Sequence, residues 1–137
     1  MDTDYSNPGP TCQKIEDLIR WVRPIVRRWP RVDRETLGED LMNALRMMLR
    51  LATKARLHYY NKSTLRDLDI EKEIAKVFMH EASKTSYTDK RGNVRYLIEA
   101  HSFGVWCSMI EEIGRLIGGW INKTEAKTSG KKESRDE

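Results

Sequence analysis

Leu37-Gly38-Glu39-Asp40-Leu41-Met42-Asn43-Ala44-Leu45-Arg46-Met47-Met48-Leu49-Arg50-Leu51-Ala52-Thr53-Lys54-Ala55 is the stretch whose periodicity decides the fold class. Leu37, Leu41, Ala44, Leu45, Met48, Leu51, Ala52 and Ala55 recur at three- and four-residue steps, so one apolar face persists along the whole run. The pattern predicts a helix from about Arg34 to Asn61, with Asp33 placed to cap its start.

Working outward from this helix, Ile15, Leu18, Ile19, Val22, Ile25, Val26 and Trp29 predict an earlier one from about Cys12 to Trp29. Pro24 should kink or break it near Arg20–Trp21, and Pro30 should end it. A third helix is expected from about Thr64 to Lys84 with Ser63 as N-cap; Leu68, Ile70, Ile74, Val77, Phe78 and Met79 give it a broad apolar surface. Asp89-Lys90-Arg91-Gly92-Asn93 marks a loop within Tyr87–Asn93. The fourth helix is expected from about Val94 to Lys123, carrying Leu97, Ile98, Val105, Met109, Ile110, Ile113, Leu116, Ile117 and Trp120. No β-alternation and no internal repeat stands out. The expected architecture is all-α, an antiparallel four-helix bundle over residues 12–123. It should lie between a disordered N-terminal lead (1–11) and a disordered charged tail (124–137).

At 137 residues the chain is long enough for one domain with a substantial core. Cys12 and Cys107 form no metal-type or disulfide-type spacing. No apolar run reaches membrane-spanning length and no signal-type leader is seen, so a cytoplasmic protein is expected. The net charge of +4 is unevenly placed: from Cys12 to Lys62 there are twelve Lys/Arg against six Asp/Glu, and beyond Lys62 thirteen face thirteen. A basic first half favours a polyanion or an acidic protein as partner; a solvated helix face explains it equally well.

Arg20, Arg23, Arg27 and Arg31, spaced 3-4-4, fall on one stripe, flanked by Arg28 and Arg34. Arg46, Arg50 and Lys54 repeat the device on the second helix with no acid in the row. Like charges at this spacing oppose helix formation by a few tenths of a kcal/mol per pair. Their guanidiniums match phosphate geometry, so a sequence-independent grip on RNA or DNA is one reading. The other is pairing with acids on neighbouring helices or subunits.

Glu111-Glu112-Ile113-Gly114-Arg115-Leu116-Ile117-Gly118-Gly119-Trp120-Ile121 places three glycines inside a helix, at roughly 1 kcal/mol each in lost propensity. Gly114 and Gly118 share a face and predict close approach of another backbone, within the bundle or between protomers, beside Trp120. His58, His80 and His101 have no ligand-type spacing, so no metal site is expected. Arg95 and His101, with five residues between them, fit the Arg-x(4–6)-His pattern of HEPN-type ribonucleases, in which His would serve as acid or base and Arg would hold phosphate charge. The plainer reading of His101 is a partly buried helix histidine. No nucleophile triad, phosphate loop or cofactor motif is present, so a non-enzymatic protein is expected.

The Glu112–Ile121 run resembles the C-terminal helix of the accessory variability determinant (Avd) proteins of diversity-generating retroelements. Arg23-Pro24-Ile25 with Pro30 beyond it, and Leu65-x-x-x-Asp69, follow the same family in the same order, though Arg23 replaces an aromatic residue. The likeness covers roughly Cys12 to Lys123. It implies a homopentameric barrel of four-helix protomers that binds a reverse transcriptase and template RNA, with DNA as a second polyanion, in mutagenic cDNA synthesis and retrohoming. It also implies functional basic positions at Lys76 and His80 on helix three, where His80 departs from the family's Lys/Arg. Arg115 falls on the family's Gly-Arg pair. The intervening-sequence proteins of large-subunit ribosomal RNA resemble the chain through the same bundle.

Overall fold

The computed structural model describes residues 9–58 and 60–136, with side chains as far as 126. Four long helices carry the fold: α1 (Gly9–Arg27), α2 (Glu39–Leu57), α3 (Lys62–Lys84) and α4 (Ala100–Asp136). A short helical turn, Arg31–Asp33, and a π-helical turn, Arg34–Gly38, join α1 to α2. An antiparallel hairpin, β1 (Ser86–Thr88) and β2 (Val94–Tyr96), joins α3 to α4, pairing Ser86 with Tyr96, Tyr87 with Arg95 and Thr88 with Val94.

Each long helix packs on its chain neighbours, and α4 closes the ring onto α1. Cross-helix contacts show the directions. Lys14 reaches Glu112 at 3.4 Å while Trp29 reaches Leu97, so α1 and α4 run oppositely. Arg66 meets Glu125, Lys72 lies against Gly114, and His80 faces Phe103, so α3 and α4 do too. Ile15, Leu18 and Val22 of α1, Leu41, Leu45 and Met48 of α2, Leu65, Leu68 and Met79 of α3, and Trp106, Ile110 and Ile117 of α4 fill the centre with almost no exposure. Burying each contributes about 1.5–3 kcal/mol. The expected antiparallel four-helix bundle is the observed one, with a small sheet added.

The helix ends differ from the sequence expectations for identifiable reasons. α1 begins at Gly9, inside the expected N-terminal lead; the rest of that lead lies outside the described residues. α1 runs through Pro24 to Arg27 without a break. Only the Arg20 carbonyl loses its helical donor there, close enough to the end for the helix to tolerate it. Asp33 does not cap α2, because helix has already begun at Arg31 after Pro30; Asp33 has helical angles and makes no capping bond. Its charge still suits the first turn of that segment. Ser63 lies inside α3, which starts at Lys62, and the preceding Asn61 turns its amide to the Ala55 carbonyl at 3.0 Å instead of capping. α4 starts at Ala100 rather than Val94, and its backbone stays helical past Lys123 to Asp136.

The hairpin explains the late start of α4. Asp89 Oδ1 accepts the amides of Arg91 and Asn93, both at 2.9 Å, and Oδ2 accepts Arg95 Nε at 2.8 Å. Gly92 supplies the positive φ of +84° that the turn requires. These bonds hold Val94–Tyr96 extended.

The glycines behave otherwise than the sequence suggests. A Cβ on Gly118 or Gly119 would meet nothing within 4 Å, and one on Gly114 would touch only the Lys72 side chain, nearest atom 3.4 Å. Among the described residues, no backbone makes the expected close approach at these three glycines. The close approach occurs at Gly38, buried in the π turn, where a Cβ would lie 2.8 Å from Val26 Cγ1.

Candidate nucleic-acid interface

Helices α1 and α2 bring the two basic rows together. The Cys12 thiol lies beside Thr53 and feels the Arg56 charge, while Gly38 sits under Val26 and Trp29, so the two helices are antiparallel and in fixed register. Arg23 shares the row Cys12-Glu16-Ile19-Arg23, the edge of α1 that faces α2, with Arg20 and Arg27 flanking it. Across the seam, Arg46, Leu49, Thr53 and Arg56 form the facing edge of α2. Arg20, Arg23, Arg27, Arg46, Arg50 and Arg56 are all exposed.

Few of these cations are neutralised. Arg20 lies 3.8 Å from Asp17, Arg31 pairs with Glu35 at 2.9 Å, and Arg46 donates to Asn43 Oδ1 at 2.9 Å. Among the described residues, Arg23, Arg27, Arg28, Arg50 and Arg56 have no carboxylate within ion-pair reach. Among the described residues, the expected pairing of these arginines with acids of neighbouring helices therefore does not form. A set of guanidiniums left to water, whose mutual repulsion works against both helices, is suited to an external anion.

Some expected residues lie elsewhere. A row stepping by four residues drifts about 40° per step around a helix, so Lys54 turns away from the α1-facing edge of α2 that Arg46 occupies, although it too is exposed and, among the described residues, unpaired. Lys76 is tied to Glu73 at 3.3 Å on α3, and His80 packs edge-on to Phe103, centroids 6.2 Å apart. Arg115 is exposed on the outward side of α4, away from the core row of Ile113 and Ile117. Trp120 is buried in the core of the bundle. The sequence reading overlooked Arg56, although the 3-4-3 spacing from Arg46 through Leu49 and Thr53 carries the signal.

The Arg95–His101 pair is not assembled. Arg95 is committed to Asp89 and, at 3.4 Å, to Glu99; His101 is exposed in the first turn of α4 with no bond to it. The Arg95 hydrogen bond holds the Asp89 carboxyl below the ordinary carboxylate range, helped by the Asn93 and Arg91 amides, and raises Arg95 in turn. Burial pushes the Cys12 thiol up, which makes it a packing group more than a nucleophile. Among the described residues no group of His, Cys, Asp and Glu is placed to hold a metal ion, and no helix is long and apolar enough to cross a membrane.

A family model described as bAvd-like matches residues 11–124, from the first turns of α1 to the level on α4 where Arg66 meets Glu125. The chain belongs to the bAvd-like family. The match spans all four helices, the arginine seam and the hairpin, so the whole bundle is the bAvd-like unit. No curated protein matches the chain.

Proposed function

We propose that this bAvd-like chain is the accessory protein of a diversity-generating retroelement. In this reading it binds the reverse transcriptase and the template RNA through basic surfaces and performs no chemistry itself. It acts in the cytoplasm as a homo-oligomer, a pentamer by the family resemblance. Family membership supports the accessory role; the single observation that carries the RNA half is the unneutralised arginine seam of α1 and α2.

An anion-binding seam of this kind grips backbone phosphate and reads no bases, so affinity is electrostatic and nearly independent of sequence. With about five phosphates neutralised, log affinity against log salt should fall with a slope of about −3.5 to −4.5. Replacing Arg23, Arg46 and Arg56 with Ala should flatten the slope by close to three-fifths of that. The companion test is co-purification with the reverse transcriptase of the same retroelement. Affinity that ignores salt, or no RNA binding at low salt, would overturn the RNA reading; loss of the polymerase from the complex would overturn the accessory role.

A further inference from the structure

At the hairpin end of the bundle, Trp29 Nε1 donates to the Leu97 carbonyl at 2.7 Å. That bond joins two connections that are distant in sequence. Arg28 precedes Trp29 and Tyr96 precedes Leu97, so the arginine-rich turn after α1 lies beside strand β2. Between β2, the last turn of α3 and the first turn of α4 is an open cleft of 630 Å³, walled by Val94, Tyr96, Ile98 and Phe103, with Ser83, Asn93, Arg95 and Glu99 as its polar lining. Tyr96 is 50% exposed and Val94 70% exposed, although both lie on a strand. Phe103 is held edge-on by His80.

Further cations lie on the segments that adjoin this cleft. Arg27, Arg28, Lys84, Lys90 and Arg91 are exposed and, among the described residues, make no ion pair. Of the acids nearby, Asp89 and Glu99 are both held by Arg95; Glu81 stays exposed without an ion pair among the described residues. The Asn93 side chain makes no hydrogen bond to any described residue, and Ser83 Oγ donates to the His80 carbonyl, leaving its lone pairs open.

We propose that this cleft holds one unstacked base of a single-stranded RNA. Tyr96 supplies the stacking face, and the arginine turn and hairpin tip hold the flanking phosphates. An exposed aromatic ring among unpaired cations suits a single strand, because every base offers a π-face and the backbone supplies the charge. Asn93, which can donate and accept, meets the edge of any base. The proposal rests on the RNA-binding reading above and adds a second, strand-selective contact to the charge-only seam.

The test uses the full chain with a short oligo(rU) carrying one 2-aminopurine, beside an RNA duplex of equal length, at low salt. Wild type should bind both and quench the 2-aminopurine. Tyr96→Ala should weaken single-strand binding about 10-fold and abolish the quench, while Tyr96→Phe keeps both and the duplex affinity does not move. Lys90→Glu with Arg91→Glu is the second variant, safe for folding at the exposed loop tip, and should weaken the single strand likewise. Failure of wild type to bind either RNA would remove the RNA reading itself. Wild-type affinity in both variants, with no quench, would remove the cleft alone. Loss of reverse transcriptase from the complex in Tyr96→Ala, with single-strand affinity intact, would overturn the proposal and give the cleft to a protein partner.

Discussion

Two glycine-to-alanine substitutions should move stability in opposite directions. At Gly38 the new Cβ would sit 2.8 Å from Val26 Cγ1 and 3.4 Å from both the Asp33 carbonyl and a Trp29 ring carbon. Carbon pairs rest at about 3.5–4.0 Å, so the Val26 contact is short by roughly 0.7 Å or more. Val26 is buried and β-branched, with little freedom to rotate away. Overpacking costs about 1–3 kcal/mol, and only part is offset by the ~1 kcal/mol that Ala gains over Gly in helical backbone. The net loss, up to about 2 kcal/mol, lowers Tm in a chain of this size by up to roughly 6 °C. Gly118→Ala meets nothing within 4 Å, so propensity alone acts and Tm should rise by roughly 3 °C. Differential scanning calorimetry on both variants, with sedimentation to follow assembly, makes the comparison. A Gly38→Ala protein melting at or above wild type would refute the packing argument. A Gly118→Ala protein that melts lower or changes its oligomer would show that another copy covers that face.

Three further outcomes follow from single contacts. Asp89, its carboxyl lowered by Arg95, contributes hairpin order that is present above its unfolded value near 3.8 and lost as pH falls through the lower folded value. The Arg91 and Asn93 amide resonances should therefore stay fixed through the ordinary carboxylate range and shift only below it, and in Asp89→Asn they should be displaced at every pH. Trp29→Phe strips the buried Leu97 carbonyl of its donor and should cost about 1–3 kcal/mol in denaturant unfolding; an unchanged midpoint would mean water replaces the indole. Arg56→Ala should weaken RNA binding more than Lys54→Ala, since only Arg56 lies on the edge of α2 facing α1. Equal effects in filter binding would place the RNA track across the outer side of α2 instead of along the seam.

The helices were legible where burial repeats every turn. Leu41, Leu45, Met48 and Ala52 keep α2 recognisable because an apolar row sustained at that spacing fits neither a strand nor a loop. The hairpin was not legible: strands of three residues are shorter than any run in which alternation can register, and the turn is specified by one side chain, Asp89, reaching two amides and a guanidinium. The same spacing rule groups Lys54 with Arg46 and passes over Arg56, which shares the α1-facing edge of α2 with Arg46. An i, i+4 series in sequence is a spiral on the helix, and only the neighbouring helix tells which part of the spiral it faces. The glycines misled for a related reason. Composition shows where backbone approach is permitted, whereas Gly38 is the position where the packing of α1 uses that freedom.

Beneath Gly114, Lys72 runs between α3 and α4 with its side chain only 14% exposed, its ammonium 2.7 Å from Asp69 and 3.7 Å from Glu73. Aliphatic rows such as Ile110, Ile113 and Ile117 would accept a neighbouring helix displaced by one turn, because the next turn offers another side chain of much the same size. A methyl on Gly114 would meet the Lys72 side chain at 3.4 Å or more, an ordinary contact, so the lysine stem does not depend on the glycine for its space. Displacement of α3 along α4 would instead tear the contact of Arg66 with Glu125. The contact thus serves as an alignment key: its net contribution to stability is small, yet it selects one axial setting of α3 on α4 out of several that the apolar surfaces alone would leave nearly equal in energy.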